Sequence, residues 1–103
     1  MMEQSLISPD VIARYAADAA REVEGVSGLA DRMRSRGNGV AVTGDENTLA
    51  ITISLELEWG QSTANVAREV QRRVAEYLGK MANASPASVD VVVEAVSLPP
   101  PKR

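Results

Sequence analysis

Glu56 and Glu58 stand two residues apart in Leu55-Glu56-Leu57-Glu58. On an extended chain that spacing sets both carboxylates on one face, with their backbones about 6.6 to 6.8 Å apart. At that separation one carboxyl could act as acid and the other as base. Such a pair works only where a pocket drives the two pKa values apart, and the wet side of a strand supplies none, so a solvated sheet face is the simpler reading. Histidine and cysteine are both absent. That removes the usual general base near neutral pH, Ser-His and Cys-His nucleophiles, thiolate metal sites, disulfides and thiol redox chemistry. The expectation is a chain that is not an enzyme and has no cofactor, metal or small-molecule substrate.

Other groupings carry weaker signals. Asp45, Glu46 and Asn47 could offer oxygens to calcium, but three adjacent ligands without further carboxylates at loop spacing fall short of a known site; a hairpin turn explains them. Gly37-Asn38-Gly39 could cradle a phosphate, yet phosphate loops lead into a helix N-terminus and this one leads into Val40-Ala41-Val42-Thr43, a short strand. Arg32, Arg34 and Arg36 form the densest positive segment. Joined by Arg68, Arg72 and Arg73 they would make a patch for an acidic partner, an RNA backbone or lipid headgroups; alone they read as a charged loop. Trp59 is a core-edge residue in the plain reading and an interface anchor if exposed. The candidate interaction patch is therefore Arg32, Arg34, Arg36, Arg68, Arg72 and Trp59.

The elements that must position these residues belong to a chain of 103 residues, the size of one domain and too short for two separate cores. Residues 1–98 read as that domain and residues 99–103, Pro99-Pro100-Pro101-Lys102-Arg103, as an extended tail that cannot join a sheet. Trp59, Tyr15 and Tyr77 are the only rings, so the core must be aliphatic and base-stacking platforms are poorly supplied. With 11 basic and 14 acidic residues the net charge is -3, which offers no global attraction to phosphate polymers. No apolar run approaches the roughly 20 residues that cross a bilayer, and Met1 to Ser8 lacks the pattern of a signal peptide; any membrane association is expected to be indirect.

Ser8-Pro9-Asp10 is a helix start, followed by Ile12, Ala16, Ala19 and Val23 at helical spacing, with Gly25 and Gly28 ending the helix near Glu24. Ala30 to Gly39 reads as a loop. Val40 to Thr43 and the following strand form a hairpin through Gly44-Asp45-Glu46-Asn47. From Leu49 to Trp59 every odd residue is large and apolar and the even ones are small or polar, the mark of a strand buried on one face, which points to an antiparallel sheet covered on a single side. Val66, Ala67, Val70, Val74, Tyr77, Leu78 and Met81 make the stripe of a second helix after a Ser62 or Thr63 cap; Gly79 to Ser88 reads as a loop, and Val89 to Leu98 as a final strand whose alternation shifts near Val92, the sign of a bulge. The expected fold is α+β, a two-layer sandwich with two helices on one face of a three- or four-stranded, mainly antiparallel sheet. Its order is αββαβ, or βαββαβ if Leu6-Ile7 adds a strand.

In that order, Glu22-Val23-Glu24-Gly25-Val26-Ser27-Gly28-Leu29, Leu55-Glu56-Leu57-Glu58-Trp59-Gly60, Val66-Ala67-Arg68-Glu69-Val70-Gln71 and the closing Val-rich strand resemble the alkaline-shock, or general-stress envelope, protein family over residues 6 to 98. The chain departs from the pattern in lacking a proline in Gln61-Ser62-Thr63 and a glycine before the valine of Glu94-Ala95-Val96. The resemblance implies a bacterial cytoplasmic protein of the envelope stress response, without known catalysis, able to self-assemble and, in some members, held at the inner face of the membrane by a separate anchor protein. It carries no catalytic motif to transfer. The leading expectation is an interaction or scaffold module working by self-association or partner binding through a sheet edge or the Arg-rich loop, because an unpaired strand edge presents free backbone donors and acceptors. The alternative is an RNA-binding α+β domain using the Arg-rich loop, disfavoured by the acidic balance and the lack of rings on the wet strand positions.

Overall fold

The first helix, α1 (Pro9–Arg21), begins where extended Ser8 turns its Oγ to accept a hydrogen bond from the Val11 N–H at 3.3 Å, with Pro9 in the first turn and Asp10 at the positive end of the helix. This computed structural model describes residues 8–30, 39–44 and 48–97. Leu6-Ile7, the Arg32, Arg34 and Arg36 segment, Gly37-Asn38, the 45–47 turn and the 99–103 tail lie outside the described residues. Ile12, Ala16, Ala19 and Val23 are buried as their spacing predicts. The helix itself stops at Arg21, earlier than Glu24, and Gly25 turns the chain at φ 99°.

The residues after that turn correct the sequence reading, because Val26–Leu29 is a strand, β1, where helix-ending glycines and the run-up to a loop were expected. Four residues containing a glycine have no alternation to detect. What makes them a strand is pairing with a distant segment, and the register shift between Val26 and Gly28 shows how irregular that pairing is. β2 (Val40–Thr43) and β3 (Ala50–Glu58) form the expected hairpin, with Thr43 opposite Ala50. On β3, Ile51, Ile53, Leu55 and Leu57 are sealed in the core, while Ala50, Thr52, Ser54 and Glu56 line the other face.

β1 and β2 share one side of β3 end to end, both antiparallel to it: β1 meets Leu55 to Leu57 and β2 meets Ala50 to Ile53. The handover is at Ser54, whose carbonyl accepts from the Ala30 N–H and whose N–H donates to the Gly39 carbonyl, each at 2.9 Å. Gly39 has φ 71°, and a Cβ there would lie 2.7 Å from the Ala30 oxygen, so this junction requires glycine.

Ser62 caps α2 (Thr63–Ala82) by accepting from the Asn65 N–H at 3.3 Å, and Asn83 closes it in the left-handed region at φ 52°. The helix runs on through Gly79 to Ala82, into the expected loop. Val66, Val70, Val74 and Leu78 are buried in the stripe, but Met81 is exposed. Edge-to-face packing of Tyr15 on Tyr77, with centroids 5.8 Å apart, joins the two helices on one side of the sheet.

β4 (Ser88–Ser97) returns parallel to β3, completing a β-α-β crossover through α2. Two of the three pairings are thus antiparallel and the last is parallel. The expected bulge exists; the register slips between Leu55 and Glu56, which brings Val93 opposite Leu55 and Ala95 opposite Glu56, with Glu94 as the extra residue. The fold is the expected α+β two-layer sandwich, with the element order αβββαβ over the described residues.

Candidate interaction surface

Along β3 the backbone polar groups of successive residues point to opposite sides of the strand. Those of Ser54 and Glu58 serve the β1–β2 side: besides the Ser54 bonds, the Glu58 N–H donates to the Gly25 carbonyl at 2.8 Å. The odd residues Ile51, Ile53 and Leu55 therefore serve β4. On β4 their partners in the ladder are the inward-pointing Ser88, Asp90 and Val92, consistent with the Ser88 N–H approaching the Leu49 carbonyl at 3.4 Å. It follows that the peptide groups of Val89, Val91 and Val93 point away from the sheet, although their side chains share the core face with Ile51, Ile53 and Leu55.

β4 has β3 as its one strand neighbour among the described residues. It is ten residues long with no proline, lysine or arginine, whereas the opposite edge is divided between two strands of four. Long edges of this kind are templates for another strand. One outward group is occupied: the Gln71 Nε2 of α2 donates to the Val89 carbonyl at 2.9 Å. Val92 on the uncovered face is 42% exposed, and Val96 and Trp59, towards the far end of the sheet, are 44% and 63% exposed. Val96 stands opposite Leu57, two residues before Trp59.

The residues expected to form the patch are distributed unevenly. Arg32, Arg34 and Arg36 lie outside the described residues. Trp59 is exposed, the interface-anchor alternative of its two readings. Arg72 is spent within its own helix: Nη2 and Nε hold both oxygens of Glu69, at 2.6 and 3.3 Å, and Nη1 reaches Glu76 at 3.0 Å. These hydrogen bonds hold the Glu69 carboxyl below its ordinary pKa and raise the Arg72 guanidinium above its own. Arg68 is exposed and donates to Asn65 Oδ1 at 3.5 Å, at the limit of a hydrogen bond. Arg73 Nε also approaches Glu69 at 3.7 Å, so Glu69 meets two arginines of its own helix.

Glu56 is half-buried and Glu58 exposed on the face that neither α1 nor α2 covers. A groove of about 100 Å³ between α1 and α2 is lined by Glu22, Glu76, Arg73, Lys80, Tyr77 and Ala19. Arg73 Nε is buried without a hydrogen bond, 3.7 Å from Glu69 Oε2. Among the described residues no three His, Cys, Asp or Glu converge to hold a metal ion, and no helix is long and apolar enough to cross a membrane. Sequence reasoning pointed to a sheet edge but did not single out the groups of Val89, Val91 and Val93, and it missed the cap from Gln71. The valine run without lysine or proline was a signal for the first; nothing local marks Gln71.

Comparison with known proteins agrees with this architecture. Solved structures of MamM CTD variants superpose with TM-scores of 0.56 to 0.57 at 15% identity; one such variant covers 85% of this chain and 98% of its own, and a nickel form covers 84% and 96%. A copper form superposes at 0.55, also at 15% identity, over 84% of this chain and 95% of that one. At this identity the likeness is one of fold. A search of curated proteins finds none that matches the chain. The model of the alkaline-shock protein 23 family, described as having a cell envelope-related function, matches residues 2–98. With nearly the whole chain matched and the α+β layers in place, the protein belongs to the alkaline-shock family.

Proposed function

We propose that this protein is a non-enzymatic interaction or scaffold module of the bacterial envelope and alkaline stress response, acting by self-association or by binding a protein partner through the β4 edge. The observation that carries the reading is the row of outward peptide groups on a ten-residue edge strand, with exposed Val92 beside it. The envelope-related description of the family supports the setting. Its place in the cell is cytoplasmic, peripheral at the inner face of the membrane where an anchor protein holds it. A chain without histidine or cysteine is poorly equipped for catalysis. The copper and nickel forms of MamM CTD are properties of that protein and carry no metal role to this chain.

Val91→Pro tests the reading. The ring removes an N–H that points away from β3, so it spares the ladder, as prolines on edge strands do. Light scattering across concentration and affinity capture from cells are expected to show association in the wild type and its loss in the variant. A strict monomer that captures no partner sinks the proposal. So does a mobility shift with RNA at physiological salt that weakens when Arg32, Arg34 and Arg36 become Ala, because it moves function to the Arg-rich segment.

A further inference from the structure

We infer that the occupant of the β4 edge is a second copy of this chain, paired antiparallel through β4 in a register centred on Val91, and that Gln71 competes with this pairing. The inference rests on the β4 edge being the docking surface and adds the partner, the register and a built-in competitor.

The register follows from hydrogen-bond accounting. In an antiparallel pair, directly opposed residues either exchange two backbone bonds or none. The outward residues of β4 are Val89, Val91 and Val93, so they must oppose outward residues of the other strand. A two-fold axis through Val91 sets Val91 against Val91 and Val89 against Val93, and all three outward residues of each copy are then used. Moving the axis to Val92 leaves only Val91 against Val93.

Charge separates the two registers in the same direction. Centred on Val91, the carboxylate of Asp90 faces Val92 of the second copy, and the valine's exposed surface is covered. Centred on Val92, Asp90 faces Glu94, and like charges directly opposed destabilise a sheet. Symmetry is satisfied because the same patch serves both copies and the contact closes on itself.

Gln71 enters because its amide already holds the Val89 carbonyl that the register assigns to Val93 of the second copy. In the free chain the contact caps part of the edge; on pairing, the Val93 N–H of the second copy competes with it for the Val89 carbonyl in both copies. Removing it with Gln71→Ala leaves a carbonyl that water can reach in the monomer and that the second copy can take in the dimer.

The absence of cysteine makes the register directly readable. Asp90→Cys and Val92→Cys are prepared singly and mixed under mild oxidation. In the Val91-centred register residues 90 and 92 form a non-hydrogen-bonded pair with Cα atoms about 4.5 Å apart, inside disulfide range. Residue 92 lies roughly 7 to 8 Å from its own copy diagonally, outside that range. The mixture is therefore expected to give a disulfide-linked heterodimer, with little homodimer from either variant alone. Gln71→Ala is expected to tighten dimerisation about tenfold in sedimentation equilibrium, the effect of sparing one modest hydrogen bond per copy. Homodimers from Val92→Cys alone overturn the register, and unchanged or weaker dimerisation of Gln71→Ala overturns the competition. A wild type that stays monomeric while Val91→Pro still loses a captured partner overturns the second copy and leaves the edge reading standing. If Val91→Pro changes neither property, both fall.

Discussion

Arg72 and Trp59 had equal standing as sequence candidates, and their surroundings give them different roles. The arginine's donors are distributed between Glu69 and Glu76, so its charge steadies α2 and is poorly placed to meet a partner. Because Arg72 lowers the Glu69 pKa in the fold, the stabilisation from that carboxylate is present above its ordinary value of 4.5 and disappears as pH falls through its lowered value. Glu69→Gln should therefore be slightly less stable than the wild type at neutral pH, and the two should converge in chemical unfolding measured at progressively acid pH. At Gly39 the constraint is backbone: φ 71° and a carbonyl 2.7 Å from any added Cβ put Gly39→Ala at a cost of about 1 to 3 kcal/mol, measurable by the denaturation midpoint. Trp59→Ala should leave that midpoint nearly unchanged, because the ring is 63% exposed, while weakening partner capture if the end patch extends the interface.

At the scale of the element, β3 is the strand on which every other strand depends. Leu55 is fully buried and pairs on both sides, with Leu29 and Val93. Leu55→Ala should cost about 2 to 5 kcal/mol, whereas Val92→Ala, on the uncovered face, should cost far less; urea unfolding of the two variants makes the comparison. On β4 the alternation of peptide direction has its own signature. In the monomer at low concentration, amide hydrogen exchange should be slow at Asp90 and Val92, whose N–H groups face β3, and fast at Val91 and Val93. Equal protection of all four would mean that the edge is covered or the direction assigned to it is wrong.

At the scale of the whole fold, the described layers leave one side of the sheet uncovered and one edge long. The helices sit over the odd residues of β3, so Glu56, Asp90 and Val92 remain on the outside with no second layer among the described residues. This arrangement keeps outward backbone groups at Val91 and Val93, which edge strands ordinarily avoid by being short, charged or bulged. Here the bulge comes late, at Glu94, after the outward row has passed. The α1–α2 groove is the feature at this scale that a catalytic reading would need, and its charged lining mixes Glu22 and Glu76 with Arg73 and Lys80 without a histidine among them.

The amino-acid sequence determined whatever depends on neighbours along the chain. The alternation from Leu49 to Trp59 decided which face of β3 is buried, the Val66 to Leu78 stripe decided the inner side of α2, and Ser8-Pro9-Asp10 and Ser62 decided where the helices begin. The slipped phase of the last strand was legible too, because side-chain direction repeats every two residues and an extra residue must reset it. Tertiary structure decided the rest. Val26 to Leu29 is a strand only because the far half of β3 lacks another partner on that side, and β4 runs parallel because α2 carries the chain back across the sheet. Gln71 meets Val89 because that crossover lays the helix beside the edge. Each is a contact between residues distant in sequence, and periodicity reports which way a side chain points, not which distant backbone stands beside it.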